Sequence, residues 1–163
     1  MKEYWDIYDK NRIFQNRTIL RGTPFQNGEY YVSCEVWFQN SKGEMLVTLR
    51  NPNKKAGGLW EFVGGGVLAG ETTAQAAVRE IKEEIGIDIT ETDLMFLYEY
   101  RHNNYFMDIY LVNKDIDIKM IVLDLNETID AKWTTKEELQ ALIDGDAFVR
   151  SVVQRYNLLK DKL

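Results

Sequence analysis

Three glutamates, Glu80, Glu83 and Glu84, sit at spacings of i, i+3 and i+4 in the run Val78-Arg79-Glu80-Ile81-Lys82-Glu83-Glu84-Ile85-Gly86. On a helix, which turns by about 100° per residue, these spacings gather the carboxylates on one arc of roughly 100°. Like charges so placed repel one another. They also fall toward the C-terminal end of such a helix, where the macrodipole disfavours anions. Local physics opposes the arrangement unless a cation offsets it. Hard oxygen donors on a rigid face suit Mg²⁺, with Mn²⁺ as the alternative, because such ions keep waters and bridge to phosphate oxygens. The competing reading is a solvated acidic face, partly neutralised by Arg79 and Lys82.

The elements that must position these groups are legible around them. A helix is expected over residues 73–85, with Thr72 and Gln75 forming a capping box and Gly86 at the C′ position. Ala74, Ala77, Val78, Ile81 and Ile85 share an arc of roughly 100°, expected to be buried, with the acidic arc beside it and not overlapping. Gly64-Gly65-Gly66 precedes the helix and reads as a loop that permits unusual backbone angles and close approach to phosphate or metal. Strands are expected at 30–38 and 45–50, joined as a hairpin through Asn40–Gly43, and at 94–101, 105–112 and 128–133. Two further helices are expected at about 136–143 and 147–159. Strands interleaved with helices place the chain in the α/β class with a mixed sheet. Residues 1–29 read as an extension packed on a single domain.

Composition narrows the partners. The 163 residues carry a net charge of −6, 45% apolar content and no Lys/Arg-rich run, which argues against a nucleic-acid duplex or an anionic membrane. No apolar run reaches the roughly 20 residues that a membrane helix needs. The N-terminus lacks a signal-like apolar stretch, so the cytoplasm is the expected location. Cys34, the one cysteine, excludes an internal disulfide and reads as a buried small hydrophobe in a strand.

The segment 65–87 spells Gly-x5-Glu-x7-Arg-Glu-Ile-x-Glu-Glu-x-Gly-Ile, which resembles the Nudix box at all nine specified positions. The resemblance covers roughly residues 30–160, through Trp60 ahead of the glycines and Trp133-Thr134-Thr135-Lys136-Glu137-Glu138-Leu139 near the end. It implies the Nudix fold, a mixed β-sheet sandwiched between α-helices. It also implies an Mg²⁺-dependent pyrophosphohydrolase cleaving the diphosphate linkage of a nucleoside diphosphate linked to another moiety, or of a related organic diphosphate. Glu80, Glu83 and Glu84 would ligate metal, with the Gly64 carbonyl as a further ligand. Gly65 and Gly66 would lie against the substrate, Glu71 would pair with Arg79, and Gly86 would close the helix. The general base would be Glu83 or Glu84, or Glu127 ahead of Trp133. Arg50, with Lys54 and Lys55, could reach the distal phosphates.

A second resemblance, to type 1 isopentenyl-diphosphate isomerases, runs through Trp5–Asn11 and residues 33–61, including Val36–Thr48. Those enzymes need a cysteine just before the box glycine, where this chain has Gly64, so hydrolysis is favoured. The isomerase likeness would also make Asp108 an acidic site residue. A non-catalytic nucleotide sensor is the third class. Tyr98, Tyr100, Tyr105, Phe106 and Tyr110 are expected mainly to pack, and His102 to lie at a hairpin turn. A monomer or a homodimer is expected.

Overall fold

The computed structural model describes residues 2–163. The first strands, β1 (Tyr4–Tyr8) and β2 (Phe14–Leu20), form an antiparallel hairpin where the sequence suggested only an extension. Its turn is built by Asp9, whose carboxylate accepts from the backbone of Asn11 and Ile13, and by Arg12 at φ 62°.

Strand β3 (Tyr31–Gln39) is the axis of the fold. It is followed by β4 (Met45–Arg50), β5 (Trp60–Glu61), β6 (Val63–Gly66) and helix α1 (Thr73–Ile85). Next come β7 (Met95–His102), β8 (Tyr105–Asn113), β9 (Thr128–Thr134), α2 (Lys136–Asp144) and α3 (Arg150–Leu159). The expected β3–β4 hairpin pairs at a single position, Gln39 with Met45. Beyond it the strands diverge. β3 pairs in parallel with β8 and antiparallel with β6, while β4 pairs antiparallel with β5 and β9. One parallel pair among antiparallel ones makes the sheet mixed, as expected. Helix α3 starts at Arg150 and not at 147, because Trp60 donates to the Ala147 carbonyl and accepts from Val149, holding that stretch extended.

Period-two alternation along β3 feeds two cores. Val32, Cys34, Val36 and Phe38 pack toward Ala76, Ala77, Ile81 and Ile85 of α1. Trp37 packs on the other face with Leu139 of α2 and Val152, Tyr156 and Leu159 of α3. The sheet is therefore sandwiched between helices. Glu35, also on the second face, is buried and neutralised by Arg155, whose Nε lies 3.1 and 3.2 Å from its two oxygens, while Trp37 Nε1 donates to it at 2.8 Å.

The N-terminal hairpin is tied to the sheet at several points. Tyr8 and Tyr30 exchange backbone hydrogen bonds, and Trp5 stacks on Tyr31 with ring centroids 4.6 Å apart. The guanidinium of Arg12 grips buried Asp108 with two bonds of 2.6 and 2.7 Å, and Thr73 donates to the same carboxylate. Asp108 thus locks three elements together, which leaves its isomerase-like site role without support.

Candidate active site

Helix α1 has the expected punctuation. Thr72 accepts from Gln75 N, Gln75 accepts from Thr72 N, and Gly86 caps the end at φ 70°. Its buried face is wider than the apolar stripe. Ala76, Ala77, Ile81, Glu84 and Ile85 are buried, whereas Ala74 and Val78 are half-buried. At about 100° per residue, burial extends across the side that carries Glu80 and Glu84, so the acidic and buried arcs overlap. This corrects the reading of two separate faces.

The reason lies in β6. Gly64, Gly65 and Gly66 form a strand paired with Glu35, Cys34 and Ser33, not a loop, and none of them has a positive φ. Their glycine identity comes from close approach alone. A Cβ on Gly65 would stand 2.3 Å from Glu80 Oε1, one on Gly64 2.3 Å from the Cys34 carbonyl, and one on Gly66 2.7 Å from Trp5 Nε1. The strand is a thin wall with Glu80 on one side and Trp5 on the other. A Gly64→Ala variant forces backbone against backbone and is expected to lose about 2–3 kcal/mol in a urea melt. In Gly65→Ala the Glu80 carboxylate can swing away, so the expected result is a smaller stability loss and weaker Mn²⁺ binding by calorimetry. Equal behaviour of the two variants would count against this division.

The three box glutamates occupy different environments. Glu83 is exposed, Glu80 is mostly covered, and Glu84 is only 7% accessible. Glu84 Oε2 has no hydrogen-bond partner among the described residues. Burial, followed by the charges of Glu61 and Glu80, raises the Glu84 pKa well above the usual carboxylate range. Burial likewise raises Glu80, against the pull of Arg79. Arg79 links the box internally. It donates to Glu71 at 2.8 and 3.0 Å, to Glu80 at 2.7 Å, to Glu83 at 3.0 Å and to the Gly66 carbonyl at 3.0 Å. Glu71 also accepts from Leu68 N, and these bonds to Arg79 and Leu68 hold its pKa low despite burial. The expected Glu71–Arg79 pair is thus present.

Among the described residues, no three His, Cys, Asp or Glu side chains converge as a preformed metal cage. The donor set nonetheless fits a hard dication: a buried carboxylate oxygen without a partner among the described residues and, one helical turn away, the second carboxylate of Glu80.

Other candidates cluster on the neighbouring loop. Arg50 donates to Glu61 and to the Lys55 carbonyl, so it is a fixed group and not a solvated one. Lys54 pairs with Glu127, and the loop's Asn51 donates to the carbonyls of Leu125 and Glu127. Asp124 N donates to the Glu84 carbonyl, which brings the Glu127 turn to the end of α1. Sequence reasoning missed Glu61. Burial raises it to about 7 against the pull of Arg50, and its charge is the largest acting on Glu84. A lone acid within Leu59-Trp60-Glu61-Phe62-Val63 was the available signal. Cys34 lies in register with Gly65, but it is buried, its thiol pushed up by burial and pointed at the Gly65 carbonyl. His102, expected in the turn, is the last residue of β7 and pairs with Tyr105, and the turn itself is Asn103-Asn104.

A cleft of about 210 Å³ opens on the far side of the glycine strand, lined by Glu61, Gly64–Gly66, Ser33, Glu35, Arg155 and Trp5 among others. A more open groove of about 590 Å³ runs along the outer side of α1 past Arg79 and Glu83. Neither reaches Glu84: the open groove meets the box at Arg79 and Glu83, and the narrower cleft meets it at Gly65 and Gly66, with Glu61 in its wall.

A mixed sheet between helices, with a glutamate-rich helix seated on a glycine strand, defines the Nudix architecture. The NUDIX domain family model matches residues 30–156. An uncharacterized Nudix hydrolase of Listeria monocytogenes is 34% identical over 149 residues, spanning 90% of this chain and 88% of that protein. In fold, a Deinococcus radiodurans crystal structure is similar at a TM-score of 0.74 and 24% identity, covering 90% of this chain and 92% of that one. A bifunctional NMN adenylyltransferase/ADP ribose pyrophosphatase from Francisella tularensis, complexed with AMP and a Mn ion, is similar at 0.68 and 18%, covering 86% of this chain and 43% of that one. The chain belongs to the Nudix hydrolase family, whose members generally use Mg²⁺ or Mn²⁺ to act on nucleoside diphosphate derivatives. No helix among the described residues is long and apolar enough to cross a membrane.

Proposed function

We propose that the protein is an Mg²⁺-dependent pyrophosphohydrolase that cleaves the diphosphate linkage of a nucleoside diphosphate linked to another moiety, or of a related organic diphosphate. The observation that carries this reading is Glu84, whose buried Oε2 has no hydrogen-bond partner among the described residues, one helical turn from Glu80, which lies against Gly65 of the glycine strand. A buried acid without a partner costs free energy that a bound cation would recover.

Glu80, Glu83 and Glu84, with the Gly64 carbonyl, would hold Mg²⁺ or Mn²⁺. When bound, the ion supplies charge neutralisation at the phosphoryl oxygens and acidifies water. The protein's own groups do the rest. Arg79 keeps the box loop and helix in register through Glu71 and the Gly66 carbonyl. Glu83, the most exposed of the three, is open to water and serves as the base, with Glu127 as the second candidate once Lys54 turns to the substrate. Arg50, held by Glu61, faces the distal phosphate, and the Gly65–Gly66 backbone lies against the diphosphate. Water adds to one phosphorus, the bridging P–O bond breaks, and the two phosphates leave on separate products.

The isomerase reading loses its acid–base thiol, since Gly64 holds the required position and Cys34 is sealed in the core. The polar cleft, with an ion pair and Ser33 among its walls, also suits a sugar or nucleoside better than an isoprenyl tail. The experiment is a panel of diphosphates, including isopentenyl diphosphate, incubated with Mg²⁺ and resolved by product mass. Cleaved phosphates are expected. An isomer of unchanged mass, recognised by its altered chromatographic retention, would overturn the reading, and binding without turnover would replace it with a nucleotide sensor. The cytoplasm is the location that we propose.

A further inference from the structure

We propose that the N-terminal hairpin completes the substrate cleft, and that Arg21 at its end is a substrate-binding residue for the phosphoryl group nearest the organic moiety. This rests on the hydrolase reading for the identity of the ligand, though not for its binding.

The hairpin precedes residue 30, where the family model begins to match. It is fixed in place. Ala69 N donates to the Tyr4 carbonyl at 2.8 Å and Gly70 N to Asp6 Oδ2 at 2.9 Å, which fastens β1 to the box loop itself. Trp5, stacked on Tyr31, meets the glycine strand edge-on at Gly66, a contact only glycine allows. Arg21 follows β2 directly, and its guanidinium lies 5.6 Å from the Trp5 ring centroid, a cation–π seat that limits its swing. Arg21, Trp5 and Gly64–Gly66 line the same cleft. The one carboxylate partner of Arg21 among the described residues, Glu3, is half-exposed, and the Arg21 side chain is 51% accessible. Such a pair contributes little to stability, so its guanidinium is available to a phosphate. The part of the cleft lined by Ser33, Met107 and Val152 then takes the organic moiety.

The test uses an α,β-methylene nucleoside diphosphate, which cannot be cleaved, with Mn²⁺ in calorimetry on the full chain. Arg21→Ala is expected to weaken binding roughly 10- to 100-fold, the range for hydrogen bonds to a charged group. Arg21→Lys should recover part of it, and the wild-type affinity should fall with salt more steeply than that of Arg21→Ala. Glu3→Gln, which removes the ion pair and leaves Arg21 free, should bind at least as well as wild type. If Arg21 served only to hold the hairpin, Glu3→Gln would weaken binding too, and that result overturns the proposal. Wild-type affinity in Arg21→Ala with an unchanged melting temperature also overturns it, as does a wild-type protein that does not bind the probe. A protein that binds the probe through Arg21 but turns over no diphosphate would refute the hydrolase reading and leave this one standing.

Discussion

Glu84→Gln is expected to lose roughly 100- to 10,000-fold in Mg²⁺-dependent turnover while the metal-free protein becomes more stable by about 1–2 kcal/mol. The two effects share one cause. Glu84 is buried and Oε2 lacks a partner, so the fold must either protonate it or carry an uncompensated charge. Its pKa is driven well above the usual range by burial, then by Glu61 and Glu80. An amide of the same shape removes that burden and with it a metal ligand. The stability gain should shrink in acid, where glutamate is neutral in both the folded and unfolded states. Turnover with Mg²⁺ and a metal-free thermal melt read the two halves. Retained turnover would remove Glu84 from the metal face; a lowered melt would show that its burial carries no strain.

The second large effect is an inverted pH dependence of stability in the metal-free protein. Glu61 is raised from 4.5 to about 7 by burial, and Glu80 and Glu84 are raised in the same sense. A raised carboxylate means that the native state keeps a proton which the unfolded chain has released, so native binds more protons across this window. Stability is then full below about 4.5 and declines as pH rises through about 7, by up to about 3 kcal/mol for Glu61 alone. The Arg50 pair and partial solvent access reduce that figure. Many proteins behave oppositely, weakening in acid as paired carboxylates protonate. Added Mn²⁺ competes with the same protons, so its stabilising effect should grow with pH. Urea melts from about pH 5 to about pH 8, with and without Mn²⁺, test this. Metal-free stability that rises across the range would refute it.

Much of this was legible in the residues. The helix limits at Thr73 and Ile85 followed from Thr72, Gln75 and Gly86, because caps and boxes are local chemistry. The strands of the core were found to within a residue or so, since alternating apolar runs speak for themselves. What escaped depended on distant partners. The β1–β2 hairpin was hidden because most of β2 is exposed, and its seven residues carry no alternation. The β3–β4 pair looked like a hairpin from its turn, but β9 and β6 compete for the edges and win along most of the length. The helical wheel placed Glu80 and Glu84 outside the apolar stripe correctly by polarity. It could not know that a side-chain-free strand would lie against Glu80. Only the isomerase likeness made Asp108 a site acid, and its tie to Arg12 could not be seen in the sequence, because the two sit 96 positions apart.

The glycine strand acts as a gauge of fixed thickness. With no methyl between Gly65 and Glu80, and none between Gly66 and Trp5, the Glu80 carboxylate and the Trp5 ring rest directly on the main chain of the strand. Tolerances that elsewhere depend on side-chain rotamers are here machined into the main chain. Whatever binds on either face is therefore located against the same reference surface, and a change of one carbon shifts the alignment of both.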